Sequence, residues 1–134
     1  MAEKEKLSII VFSGELDKAL AAFMLATTGA SMGMEVGMFF TFWGLSLIKK
    51  EKGESQGPDE KMLAMMQGMK QANMPSLEEF IGMAHDMGVK LYPCSTTCGM
   101  MGLSQEDFRS EVEGMVGAAF FLGEARESKV SLFI

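Results

Sequence analysis

Cys94 and Cys98 are the only two cysteines in a chain of 134 residues, and they stand four apart in "YPCSTTCGMMGL". Such a pair could be a reversible disulfide, part of a metal site, a nucleophile with a passenger, or two small buried hydrophobes. One helical turn would put their Cα atoms about 6 Å apart, inside disulfide range. The spacing is CxxxC, however, and lacks the thioredoxin-like CxxC. Two cysteines with the single His85 and no second CxxC make an incomplete zinc set. For a nucleophile the reactive species is the thiolate. No Lys or Arg lies in the loop, and Glu106 and Asp107 oppose ionisation. Activation therefore falls to backbone N–H groups at the start of the following turn. The small hydroxyl residues Ser95, Thr96 and Thr97 favour a reactive Cys94 over an inert one, while Cys98 reads equally as a second thiol or as packing.

The surrounding elements must hold that loop at a ligand-accessible edge. "LSIIVFSG" (7–14) and "MEVGMFFTF" (34–42) are short, nearly continuous apolar runs, as expected of strands buried on both faces. "VKLYPC" is a third strand and "KVSLFI" a last one. Between the first two lies a helical pattern, with Leu16, Leu20, Phe23, Met24 and Thr27 on one face and Gly33 as its stop. "WGLSLIKKEK" opens as a short helix, and 49–61, charged and holding Gly and Pro, reads as a surface loop. A helix over 62–74 aligns Met62, Met65, Met66 and Met69. Ser76 with Glu78 and Glu79 starts another, which Gly88 closes. Ser104 and Asp107, in capping-box spacing, predict a helix running on through Phe108, Val112, Met115, Ala119 and Leu122. Strand and helix alternate throughout. The chain is thus expected to be one α/β domain over 1–134, with right-handed crossovers, a mostly parallel sheet and helices on both faces. Ligands of such sheets bind outside the carboxyl ends of the strands. Ser13 and Gly14, Trp43 with Gly44, and Cys94 all fall there, with Thr41 and Phe42 walling the same edge. His85 precedes the third strand, at its amino end. A strand of about six residues spans ~20 Å, too far for His85 to serve Cys94 as a base.

Other chemistries are disfavoured. No GxGxxG or Walker loop is present, and Glu15 and Asp17 would repel a phosphate at the first helix start. The net charge of −6, without a basic run, argues against nucleic acid and anionic membranes. The longest apolar run, "VGMFFTFWGLSLI", has 13 residues, short of the ~18 needed for a membrane span. The N-terminus lacks a signal-peptide pattern, so a cytoplasmic protein with reduced thiols is expected. Of 15 methionines, the stripe of four could be core, an oligomer surface, or an adaptable flap over the Cys94 edge; thioethers also suit Cu(I).

"SGELDKALAAFMLATTGASMGMEVGMFFTFWGL" and "VKLYPCSTTCGMMGL" resemble the DsrE/DsrF-like family, in particular its DsrE-related, peroxiredoxin-like branch, over nearly the whole chain. The specific parts are the "FFTFWGL" block and a cysteine followed eight residues later by glycine, here Cys94 and Gly102. The resemblance implies a three-layer α/β/α fold with a mainly parallel sheet of about five strands. It implies homo-oligomers and sulfur trafficking, with Cys94 accepting sulfane sulfur as a persulfide and exchanging it with donor and acceptor proteins or low-molecular-weight thiols. The family position matching Cys98 is often methionine. Persulfide exchange needs only a nucleophilic sulfur, a leaving thiol and access, with no metal or other cofactor. Two alternatives remain open at this point. One is a thiol redox protein cycling a Cys94–Cys98 disulfide. The other is a non-enzymatic oligomeric module that recruits a partner through its Met and aromatic surface.

Overall fold

The computed structural model describes residues 4–50 and 60–134, so the charged loop expected at 49–61 lies, apart from its ends, outside the described residues. Along the chain come β1 (Lys6–Val11), α1 (Leu16–Ser31), β2 (Glu35–Phe40), a 3-10 turn (Phe42–Ile48), α2 (Glu60–Gln71) and α3 (Leu77–Asp86). There follow β3 (Lys90–Pro93), α4 (Ser95–Met101), a second 3-10 turn (Gln105–Asp107), α5 (Ala118–Arg126) and β4 (Val130–Phe133).

The sheet is parallel in the order β3-β2-β1-β4. Its strands alternate between two apolar layers, as the period of two requires. Ile9, Met38 and Leu91 point into the larger layer, where α1 and α3 pack against each other and Phe23 and Ile81 are fully buried. Each such side chain contributes about 1.5–3 kcal/mol by leaving water. Phe39 and Tyr92 point the other way, toward α5, where Phe121 is the buried residue. The result is the three-layer α/β/α arrangement. Gly33 and Gly88 follow α1 and α3 at φ 86° and 90° and end them as expected. Ser76 and Glu79 form a full capping box at the head of α3.

Two expectations are corrected. The implied sheet of about five strands has four among the described residues. The residue-by-residue reading of four strands matches this. The helix predicted from Ser104 through Leu122 is not continuous. Its capping box forms, with Ser104 N–H donating to Asp107 Oδ2 at 2.8 Å, but it heads only the short 3-10 turn. The chain then extends. Glu113 N–H donates to the Leu91 carbonyl at 2.8 Å and Val116 N–H to the Pro93 carbonyl at 3.0 Å, so the segment lies along the open edge of β3. Gly114 and Gly117 weaken helix there, and sheet-edge carbonyls offer its amides a competing partner. Helix resumes only at Ala118.

The methionine helix is α2, at Glu60–Gln71 rather than 62–74. None of its residues is fully buried: Met65 and Met69 pack half-buried on the main core, while Met66 is exposed. No helix among the described residues is long and apolar enough to cross a membrane.

Candidate functional site

Cys94 sits where β3 ends and α4 begins. Its N–H donates to the Phe40 carbonyl at 2.9 Å, extending the β2–β3 pairing by one residue, and it bridges in parallel to Val116. Its backbone is still extended, at φ −74° and ψ 117°, which makes it the N-cap of α4. Strand alternation turns its side chain into the smaller layer, against Phe39 and Phe121, where it is 5% exposed.

Beside it, Thr41 Oγ1 and Thr97 Oγ1 lie 3.0 Å apart, both hydroxyls buried. Thr41 follows β2 and Thr97 lies in the first turn of α4, 56 residues apart in sequence. Burial pushes the Cys94 thiol up, but the Thr97 hydroxyl and amide, the Thr41 hydroxyl and the Thr96 amide together outweigh it and hold the thiol below the usual cysteine range. None of these groups makes a regular cap bond to the neutral thiol. Their effect falls on the charged form of the sulfur. Every one of them is electrically neutral.

Cys98 differs. It is 1% exposed, and it packs in the main core. Burial pushes its thiol up, and negative charge on Cys94 and on Asp107 pushes it the same way. Both thiols are free.

The loop after β2 is tightly held. Thr41 N–H donates to the Val11 carbonyl at 3.1 Å, and Gly44 N–H to the carbonyls of Phe12 and Thr41 at 2.9 and 3.0 Å. A Cβ on Gly44 would lie 2.1 Å from the Val11 carbonyl oxygen, so only glycine allows this approach. Between them Phe42 adopts φ 50°, in the left-handed region.

Of the residues expected at the site, Thr41, Cys94, Thr96 and Thr97 come together around the sulfur. Ser95 is exposed beside them. Ser13 accepts the Glu15 N–H at 3.1 Å, and Gly14 lies under the Trp43 carbonyl, so both shape the loop at the head of α1. The Phe42 ring packs on Phe12, with centroids 5.3 Å apart. Trp43 is 62% exposed and is not in the apolar cluster on Cys94. Gly102 caps α4 at its far end with φ 67°. His85 is exposed in the last turn of α3, at the amino side of β3. Sequence reasoning missed the apolar cover, namely Phe39, Phe121 and Val116. The signal for Phe39 was present, since a strand that buries Phe40 on one face puts Phe39 on the other. Phe121 and Val116 were hidden by the false continuous helix. Among the described residues no group of three or more His, Cys, Asp or Glu could hold a metal ion.

The model of the DsrE/DsrF/DrsH-like family matches residues 3–69 and 56–133. The chain is 33% identical to the sulfur carrier protein DsrE2 of Allochromatium vinosum, over 98% of this chain and 99% of that one. It is 31% identical to the uncharacterized protein YrkE of Bacillus subtilis, over 98% of each. Among solved structures, the ychN protein from E. coli superposes with a TM-score of 0.66 at 10% identity, covering 97% of this chain and 99% of that one. MTH1491 from Methanobacterium thermoautotrophicum, a protein of unknown function, gives 0.65 at 11%, covering 98% and 100%. At those identities the two structures share the fold alone. With the family pattern matched along nearly the whole chain, and relatives above 30% identity covered end to end, the protein belongs to the DsrE/DsrF/DrsH-like family.

Proposed function

We propose that this protein is a sulfur carrier in which Cys94 takes up sulfane sulfur as a persulfide and hands it to a partner thiol. One observation carries the reading: a buried cysteine is held toward the thiolate by neutral hydroxyls and amides alone. A hydrolase or dehydrogenase would need a base or cofactor beside the sulfur. Sulfur exchange needs neither. The Cys94 thiolate attacks the outer sulfur of a hydropersulfide donor. That S–S bond breaks, the donor leaves as a thiolate and takes a proton, and Cys94 keeps the outer sulfur. A partner thiolate then attacks the same sulfur and Cys94 leaves as thiolate. No net oxidation occurs, and the donors that stabilise the thiolate also favour its departure. Phe39 and Phe121 keep water from the loaded sulfur. The similarity to a protein named as a sulfur carrier supports the reading.

The disulfide alternative finds less support. Cys98 faces the main core, whereas Cys94 faces the smaller layer, and Cys98 is held in the thiol form. The test is intact mass after incubating reduced protein with a low-molecular-weight hydropersulfide. We expect a gain of one sulfur atom, reversed by thiol reductant, absent from Cys94→Ser and retained by Cys98→Ser. Equal loss of loading in both variants, or a loss of two hydrogens instead of a gain of sulfur, would refute the carrier.

A further inference from the structure

Phe42 carries a backbone conformation that bulky residues avoid, at φ 50°, in the loop that supplies Thr41. Such strain persists only where the surroundings impose it. Here they do: Thr41 and Gly44 are bonded to β1 and the residue that follows it, and Gly44 has no room to move against Val11. The consequence lies in the Phe42 amide. It donates toward Thr97 Oγ1 at 3.4 Å. Thr97 is 1% exposed, and the same oxygen lies 3.0 Å from Thr41 Oγ1.

A hydroxyl has one proton and two acceptor lone pairs. An amide can only donate, so Phe42 N–H occupies one lone pair of Thr97. Thr41 Oγ1 shares a second hydrogen bond with the same oxygen at 3.0 Å, in which either hydroxyl can be the donor. With Thr41 as the donor, both lone pairs of Thr97 are filled and its proton is free to turn to the sulfur. The accepted amide also polarises the Thr97 hydroxyl and makes it a stronger donor.

We infer that Phe42 is a positioning residue: its left-handed backbone fixes an amide on Thr97 and so turns the Thr97 hydroxyl proton onto Cys94. The inference rests on Cys94 as the reactive thiol and deepens that reading. It assigns to the backbone of Phe42 what its aromatic ring would otherwise be credited with. The ring, tilted against Phe12, which itself stacks on Phe133, is a separate feature of the loop.

The test separates backbone from ring. Glycine adopts positive φ without strain, whereas a β-branched residue there is the worst case. Thiolate absorbance is titrated in Phe42→Gly and Phe42→Val, each in a Cys98→Ser background and each read against the same variant with Cys94→Ser. Tyr92, whose phenol burial pushes up, cancels in that difference. We expect Phe42→Gly to keep the wild-type midpoint and Phe42→Val to raise it by about half a unit or more, a three- to tenfold loss of thiolate in mid-range. Wild-type midpoints in both, or equal shifts in both, would overturn the inference. Should Phe42→Val not fold, the wild-type Phe42 amide resonance serves instead. It should move as Cys94 titrates and stop moving in Thr97→Val; a resonance blind to the titration also overturns it. None of these readouts depends on sulfur loading, so a failed carrier and a failed positioning role are told apart.

Discussion

Cys98 donates its N–H to the Cys94 carbonyl at 3.0 Å, yet the two side chains belong to different apolar layers. One thiol is ringed by hydrogen-bond donors, and the other is surrounded by hydrocarbon. Each ionisation also opposes the other, since charge on Cys94 pushes Cys98 up.

The two thiols should therefore titrate in order. Cys94 is below the usual cysteine range and Cys98 above it, so lowering the pH from alkaline values protonates Cys98 first and Cys94 last. Alkylation followed by peptide mass should show modification of Cys94 at a lower pH than Cys98. Simultaneous labelling across the pH range would contradict the two environments.

Thr97→Val keeps volume and removes the strongest side-chain donor to Cys94. The thiolate loses support, so the Cys94 midpoint moves up, while Thr97→Ser leaves it close to wild type. Thr41 Oγ1 and the Phe42 amide also lose a buried partner, a cost of about 1–3 kcal/mol. Thiolate titration and urea unfolding read the two effects. An unchanged midpoint in a folded Thr97→Val protein would remove Thr97 from the site.

Two glycine substitutions should have opposite signs. In Gly44→Ala the new Cβ meets the Val11 carbonyl, which is backbone and cannot yield, so we expect a loss of about 1–3 kcal/mol or more and a raised Cys94 midpoint as the loop shifts. In Gly68→Ala, inside α2 with open space around it, we expect a gain of about 0.5–1 kcal/mol. Urea midpoints at constant slope decide both.

On α2 the inward and outward methionines should part. Met65 packs on the core, so Met65→Lys lowers stability. Leu63 and Met66 are each 48% exposed, and Leu63→Lys with Met66→Lys should leave the fold intact. For a homo-oligomer joined through this face, the wild type sediments above the monomer mass and that double variant below the wild type. A wild type that sediments as a monomer would end that assembly.

Local signals in the sequence settled the strands, the first helix with its glycine stop, and the Ser76–Glu79 start of α3. There the residues that carry the pattern also make the bonds, within one strand or one helical turn. The same reasoning placed Cys94 at the carboxyl end of β3, because a continuous apolar run of that length ends where its polar loop begins. It failed from Ser104 onward. The capping box was real, but a start signal does not measure how far a helix runs, and the carbonyls of Leu91 and Pro93 compete for the same amides. Hence Val116 and Phe121 were misplaced, and with them the cover over Cys94.

The sequence by itself placed Cys94 at the carboxyl end of β3, with hydroxyl residues rather than basic ones following it in the chain. Tertiary structure alone decided which hydroxyls reach it. Thr41 and Thr97 are 56 residues apart, and they meet because β2 and β3 are neighbours in the sheet. It likewise decided that Cys98 turns away. Four residues of spacing fix the distance between two Cα atoms on a helix, but Cys94 is the cap and keeps strand geometry, at ψ 117°. Its side chain follows the alternation of β3, whereas that of Cys98 follows the helix, and only the packed sheet sets the angle between them.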